Sequence, residues 1–335
     1  MDAPAVNVRS VARISLRQTT ISQYPHCCPI AFNQSEGARI LLTVAPVKMS
    51  TSDIPRFDLS RLSAAIAGTQ FAGRVQHLAT IPSTNSLALA VAQSGARTGV
   101  WIADEQTAGR GRGTHHWHSA AGQGLYLSAL IAPEITVDLA QRLSFRTAIA
   151  VQSAIAATFS LAVRDQIDIR WPNDLMVARP GAQQRKVGGI LIETSANPAP
   201  AHSPAMLRFA VIGIGVNLNH TAFPPALDSI ATSIRRELPQ PATPLRREQL
   251  AAAILVALDR KLRAITTDSA QPDTPPRDLT QYSSWLSGKQ VRVEARDDTA
   301  SYTGTTAGLD EHGFLRVTAD GGDVRIVRSG GLREL

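Results

Sequence analysis

Hydrophobic and polar positions between residues 57 and 268 switch repeatedly between a spacing of two and a helical spacing. Short alternating or continuous apolar runs predict strands, and they lie at 74–81, 98–106, 124–132, 166–171, 186–194 and 207–219. Apolar residues on one face of a 3.6-residue period predict helices, and they lie at 59–66, 84–95, 137–160 and 245–265. Strands and helices mixed in this way predict an α+β main domain.

The two ends of the chain follow different patterns. A polar, proline-rich segment at 269–284 predicts a linker. Residues 285–335 contain short alternating runs separated by turn formers, which predicts a small antiparallel barrel or sandwich. Residues 1–56 show no sustained period and predict a disordered extension, with Met49 as an alternative start of translation. The main domain is therefore expected at 57–268.

Composition narrows the class of protein only a little. Hydrophobic residues make up 44% and charged residues 18% of 335, which is typical of a globular protein. The net charge of +7 permits anionic partners such as nucleotides and nucleic acid. No apolar run is long enough to span a bilayer. The only cysteines, Cys27 and Cys28, are adjacent, so we expect no disulfide framework and a reducing, cytoplasmic location.

The segment GRGRGTHHWHS, residues 109–119, interrupts two predicted strands with glycine and positive charge. Glycines let backbone N–H groups approach an anion, Arg110 and Arg112 add charged donors, and Trp117 offers a flat face for stacking. A mobile surface loop or an RNA-binding segment are the alternatives. Because a buried strand precedes and follows it, we favour a flap that covers a ligand. Without a second ligand cluster, the histidine run indicates no metal site.

Two further polar clusters mark strand ends. Ser83 or Thr84 can cap a helix, and the same hydroxyls can form a polar rim around a small ring. Asn173 and Asp174 follow a strand, at the end where ligands of α/β sheets gather. Lys186 begins the next strand, so its ammonium group can face them.

The glycine-rich strand GIGVN, residues 213–217, lacks the third glycine and the helix of a dinucleotide fingerprint. It predicts a buried strand in which glycines permit a close approach. Asn217 at its end offers donors and an acceptor to an adenine edge.

Taken in order, five motifs resemble those of the biotin–protein ligases (biotin–[acetyl-CoA-carboxylase] ligases). They are STN (83–85), QTAGRGR (106–112), WPND (171–174), KVGGILIE (186–193) and GIGVN (213–217). The resemblance is strong over 74–220 and weaker beyond. It implies a catalytic domain on a central mixed sheet, followed by a small SH3-like β-barrel. Regulatory members begin with a helix-turn-helix, which residues 1–57 do not suggest, so we expect the ligase without the repressor and no specific DNA binding.

The resemblance also implies roles for individual residues. Contacts to the biotin ureido ring are implied for Ser83, Thr84 and Gln106. A loop closing over the biotin carboxylate and phosphate is implied for Gly109, Arg110 and Arg112. Positions near the nucleotide are implied for Trp117, Asn173, Asn217 and Arg333. Asn85 and Gly189 are implied as further residues of the binding site. Lys186 becomes the cation between carboxylate and α-phosphate, and Asp174 the group that orients or deprotonates the incoming lysine.

The implied reaction uses ATP and Mg²⁺ to convert biotin into biotinyl-5′-AMP, then transfers biotin to a lysine of a biotin carboxyl carrier protein. The enzyme would act as a monomer or a homodimer. Two positions depart from the family pattern. His115 stands where a third basic loop residue is usual, and Arg170 replaces the lysine before the WPND motif.

Two rival functions remain open at this stage. A lipoate–protein ligase shares the catalytic fold, but its Arg-Arg-x-x-Gly-Gly-Gly loop does not occur here. A nucleic-acid-binding protein would use the basic surface and predicts binding that depends steeply on salt.

Overall fold

The computed structural model describes residues 54–140, 142–159, 167–177, 183–198, 203–238, 243–268, 283–294, 301–310, 313–328 and 331–335. The predicted extension at 1–56, except for residues 54–56, and the predicted linker at 269–284, except for residues 283–284, lie outside these residues. The domain boundaries therefore stay a prediction. Within the described ranges, no helix combines the length and the hydropathy needed to cross a membrane.

Seven strands form the main sheet, in the spatial order β1-β2-β3-β7-β6-β5-β4. Their bounds are β1 Val75–Ile81, β2 Gly99–Gln106, β3 Gly124–Ile131, β4 Ile167–Arg170, β5 Asp174–Val177, β6 Arg185–Ala196 and β7 Leu207–Asn217. β1 and β2 are parallel, and every other neighbouring pair is antiparallel. The prediction of an α+β domain on a central mixed sheet is thus confirmed. β5 was not predicted, because its sequence DLMV shows no alternation of polar and apolar residues.

Among the described residues, seven α-helices accompany the sheet. Their bounds are α1 Leu59–Ala65, α2 Thr84–Gln93, α3 Val137–Ala140, α4 Leu143–Thr158, α5 Pro225–Asp228, α6 Ile234–Glu237 and α7 Arg247–Asp268. The single helix predicted over 137–160 is divided into α3 and α4. Between them the Arg142 amide donates to the Leu139 carbonyl, a tighter turn than the α-helical one.

The two faces of the sheet are covered by different helices. Along β3, residues at odd positions such as Leu127 join the core under α4 and α7. Leu130, at an even position, packs with Ala88 and Ala92 of α2. Because side chains alternate along a strand, the run that looks uniformly apolar serves two different cores. The face below α2 also carries the polar residues described below.

The C-terminal domain is an antiparallel sheet in the order β11-β10-β9-β8-β12. A 3₁₀-helix at Ser284–Leu286 precedes strands β8 Ser287–Glu294, β9 Tyr302–Leu309, β10 Leu315–Ala319, β11 Val324–Val327 and β12 Gly331–Glu334. The antiparallel architecture is confirmed, and closure into an SH3-like barrel stays a prediction. The domain contacts the main sheet where Ser283 Oγ donates to the Ile169 carbonyl at 2.5 Å.

Candidate functional site

A cavity lies on the α2 face of the main sheet, between the start of α2 and the segment that joins β2 to β3. The sequence-predicted residues that line it are Ser83, Thr84, Asn85, Gln106, Arg110, Arg112, Trp117, Asn173, Lys186 and Gly189. The lining residues that sequence reasoning missed are Gly111, Tyr126, Leu127, Ser128, Ile190, Leu191 and Ile214. Gly213 and Gly215, which the sequence placed only in a buried strand, form part of the floor.

The first turn of α2 supplies a buried polar rim. Ser83 caps the helix, accepting from the Ser86 amide, as the sequence predicted. Gln106 Oε1 accepts from the Thr84 amide at 2.9 Å and from its hydroxyl at 3.1 Å. On β3, Ser128 Oγ lies 2.8 Å from Thr84 Oγ1 and 2.6 Å from Asn85 Oδ1. Cap and rim are therefore one structure rather than alternatives. A lone serine in the apolar run of β3 was the available signal for Ser128.

Glycines of β7 make room above the floor. A Cβ added at Gly213 would overlap Asn85 Oδ1, and one at Gly215 would lie 2.6 Å from Trp117 Nε1. The sequence suggested a close approach to GIGVN. Asn85 of α2 makes it at Gly213 and the Trp117 indole makes it at Gly215, because neither glycine has a side chain. Trp117 Nε1 is buried without a hydrogen-bond partner among the described residues.

We expect Gly215→Ala to lower kcat/KM for the cavity's ligands about ten- to a hundredfold, since overpacking costs about 1–3 kcal/mol. The added methyl pushes Trp117 off the sheet, so the segment that carries it cannot close. Steady-state kinetics would measure the loss. Gly68→Ala is a suitable control, because a Cβ there meets nothing within 4 Å. Equal kinetics for both variants would contradict the role given to Gly215.

We call residues 107–123, between β2 and β3, the flap. It folds back on itself, with the Gly111 amide donating to the His115 carbonyl at 2.8 Å and the Trp117 amide to the Gly109 carbonyl at 2.9 Å. The Arg110 guanidinium binds both oxygens of Glu193 on β6, at 2.8 and 3.0 Å. The positive charge of Arg110 is therefore paired with a carboxylate of the protein, and its contact with phosphate stays a prediction.

Two cations share the carboxylate of Asp174, the first residue of β5. Asp174 Oδ1 lies 2.6 Å from Lys186 Nζ, and its Oδ2 lies 2.6 Å from Arg170 Nη2. Burial raises the pKa of the Asp174 carboxyl, but the two cations outweigh this and hold the pKa below its usual 3.8. A carboxylate held in this way is a weak base, so the geometry favours an orienting role for Asp174. Arg170 thus keeps a structural contact despite replacing lysine.

Arg112 and the backbone of Lys186 are fixed by separate contacts. Arg112 Nη1 donates to Asn173 Oδ1 at 3.0 Å, and Asn173 Nδ2 donates to the Ile190 carbonyl at 2.9 Å. The Lys186 amide donates to the Ile230 carbonyl at 2.8 Å, and the Lys186 carbonyl accepts from the Thr232 amide. The segment after β7 therefore clamps the strand that carries Lys186.

Four sequence-predicted residues do not line the cavity, and one of them, Asp174, is connected to it through its ion pair with the lining residue Lys186. Gly109 packs inside the flap, where a Cβ would meet Ser119 Oγ at 2.7 Å. Asn217 is buried, and its Nδ2 donates to the Thr232 carbonyl at 3.0 Å instead of facing an adenine. Arg333 is 73% exposed and pairs with Glu294 at 2.6 Å on the C-terminal sheet. His115, in place of the usual basic residue, is exposed at the flap tip.

A buried polar rim, a glycine floor and a cluster of cations on a mixed sheet define a ligase-type catalytic domain. Residues 77–217 match the biotin/lipoate A/B protein ligase family, and residues 286–331 match the biotin protein ligase C-terminal domain. The chain belongs to this family, as a biotin protein ligase with both domains.

Named relatives support the assignment. The chain is 31% identical over 287 residues to the bifunctional ligase/repressor BirA of Bacillus spizizenii, across 84% of this chain and 78% of that protein. It is 32% identical over 249 residues to the biotin–[acetyl-CoA-carboxylase] ligase of Paracoccus denitrificans, across 71% of this chain and 91% of that one. The fold is similar to that of the Aquifex aeolicus biotin protein ligase in complex with biotin and ATP. That match has a TM-score of 0.58 at 21% identity and covers 78% of this chain and all of the other.

Proposed function

We propose that this protein is an ATP-dependent biotin–protein ligase, which forms biotinyl-5′-AMP and transfers biotin to a lysine of a carrier protein. The observation that carries the proposal is the cavity itself. A buried polar rim at one end and a group of cations at the other are suited to a ligand with a polar ring and a carboxylate. The proposed acceptor is the biotin carboxyl carrier protein of acetyl-CoA carboxylase, and the proposed compartment is the cytoplasm, where ATP is available.

The rim supports biotin over lipoate. Ser83, Thr84 and Asn85 are only 3–4% exposed, and hydrogen bonds to Gln106, Ser128 and Glu193 hold the rim in place, so a polar ligand group meets a preorganised polar surface. A ureido ring offers two N–H donors and a carbonyl acceptor to such a rim, whereas a dithiolane ring offers no strong hydrogen-bonding group.

The first step requires two anions, the biotin carboxylate and the α-phosphate, to meet. Of the side chains at that end of the cavity, Lys186, Arg112 and Arg170 are positive and Asp174 is negative, which leaves two net positive charges. Fixed charge of this kind stabilises the crowded, negatively charged phosphorus centre without having to reorganise. Asp174 orients Lys186 toward the junction, and the carboxylate oxygen of biotin displaces pyrophosphate there.

Residues in the cavity do not form a magnesium site. Both oxygens of Asp174 are held by Lys186 and Arg170, and both oxygens of Glu193 by Arg110 and Asn85. In the part of the chain that the structure describes, no three His, Cys, Asp or Glu residues gather as metal ligands. We therefore assign no step to a metal held by the protein. Mg²⁺ is proposed only as an ion that enters on the phosphates of ATP.

The second step exposes a mixed anhydride to an amine and must exclude water. The flap lies directly over the cavity, and its closure would shield the adenylate until a carrier lysine arrives. The amine nitrogen attacks the biotinyl carbonyl carbon, the bond to AMP breaks, and AMP leaves with the electron pair. Oligomeric state is left open between monomer and homodimer.

Exchange of labelled pyrophosphate into ATP, measured with and without biotin, tests this function. We expect exchange only when biotin is present, followed by labelling of an apo carrier protein. Exchange with lipoate and not with biotin would move the assignment to the lipoate branch. No exchange with either acid, together with oligonucleotide binding that weakens steeply with salt, would favour the nucleic-acid alternative.

A further inference from the structure

A continuous set of hydrogen bonds joins the polar rim to the flap through Glu193 on β6. Asn85 Nδ2 donates to Glu193 Oε2 at 2.9 Å. The same carboxylate receives both Arg110 donors, at 2.8 and 3.0 Å. Because Asn85 also accepts from Ser128 at 2.6 Å, Glu193 is joined both to the rim and to the first arm of the flap.

The far arm of the flap reaches the same rim by another route. Ser119 Oγ donates to the Trp117 carbonyl at 3.1 Å and accepts from Gln106 Nε2 at 2.9 Å. Gln106 in turn accepts from Thr84. Both arms are therefore connected to the polar rim, and of these two routes only the one through Glu193 includes an ion pair.

We infer that Glu193 is a positioning residue that latches the flap and couples its closure to occupation of the rim. The inference rests on the proposed function. A ligand that fixes the Asn85 amide holds its Nδ2 toward Glu193, and Glu193 holds Arg110 and so the flap. By thermodynamic reciprocity, a closed flap must favour ligand binding by the same factor. Arg110 then serves closure, while Arg112 and Lys186 supply the charge for the reaction.

An ordinary surface ion pair is the alternative, since the side chains of Arg110 and Glu193 are 42% and 24% exposed and such pairs contribute little. Three features argue against it. The pair is bidentate, which fixes orientation as well as distance. Its carboxylate also binds the buried Asn85 amide, which is 4% exposed. The pair also holds a residue of the flap that lines the cavity, Arg110.

The test is Glu193→Gln, which keeps the size and the acceptor for Asn85 but removes the charge. Hydrogen exchange of amides 109–117 without ligand should become about three- to tenfold faster. Loss of preformed biotinyl-5′-AMP from the variant should accelerate by a similar factor. Arg110→Gln should match it, and the double variant should show no further increase. Glu294→Gln is the control, because it removes the exposed pair with Arg333 and should leave flap exchange unchanged.

Unchanged exchange and adenylate retention in Glu193→Gln would overturn the latch, as would additive effects in the double variant. A lower unfolding temperature alone, without faster flap exchange, would also overturn it and leave a purely structural pair. The ligand-free exchange does not depend on the reaction. Faster exchange in a protein without biotin-dependent adenylation would therefore refute the proposed function and keep the latch.

Discussion

Replacing Lys186 with alanine should slow adenylate formation about a hundred- to a thousandfold, the range found when one preorganised donor is removed from a transition state. The ammonium lines the cavity, lies 2.6 Å from Asp174 and sits 5.4 Å from the centroid of the Trp117 ring. Rapid-quench measurement of pyrophosphate release from ATP and biotin would give the rate.

Lys289→Ala provides a closely matched control. Lys289 also pairs with a carboxylate at 2.6 Å and lies 5.6 Å from a tryptophan ring centroid, but on the C-terminal sheet. It should retain the wild-type rate, and both variants should unfold cooperatively near the wild-type temperature. Undiminished pyrophosphate release from Lys186→Ala would remove this residue from the reaction.

Asp174→Asn should reduce the free energy of unfolding by about 1–3 kcal/mol. Breaking a fully buried pair costs about 3–5 kcal/mol, but the Lys186 and Arg170 side chains keep 31% and 29% exposure, so water offsets part of the loss. Adenylation should also slow, because Lys186 loses the group that orients it. Transfer from preformed adenylate is a separate measurement. Normal transfer would reject Asp174 as the base for the incoming lysine and leave only the orienting role.

The stabilisation that Asp174 provides should depend on pH, and the direction of that dependence follows from its lowered pKa. The folded-state pKa of Asp174 lies below the ordinary 3.8, so its contribution is fully present above that value. It is lost as the pH falls through the lowered pKa of the folded state. Chemical denaturation should therefore show a constant gap between wild type and Asp174→Asn above pH 5 or so, narrowing below about pH 4. A gap that widens in acid would contradict the two ion pairs.

Local patterns in the sequence predicted correctly which segments come together at the site. They predicted less well which hydrogen bonds and ion pairs the side chains of those segments make. Ser83 and Thr84 were found because a cap and a ligand rim need the same short polar residues. The glycines of GIGVN signalled a close approach, although not that Asn85 and Trp117 make it. The sequence predicted the α+β class and most strands, since each depends on local periodicity.

What local patterns missed depends on partners far along the chain. Asn217 looked like a ligand contact, but its amide is taken by Thr232. Arg110 looked like a phosphate donor, yet its partner Glu193 lies on another strand. Arg333 was assigned from the family's C-terminal arginine, and the pairing of β12 with β8 instead sets it beside Glu294. Tertiary contacts between separate segments decide all three, and no local spacing encodes them.

A crystal structure with biotin and a non-hydrolysable ATP analogue would test most directly whether positive charge converges where acid and nucleotide meet. We predict the Lys186 ammonium and the Arg112 guanidinium within about 3 Å of the biotin carboxylate and the α-phosphate, with the ureido ring on the rim of Ser83 and Thr84. Both ligands bound in this cavity with Lys186 and Arg112 directed away from the junction would contradict the account.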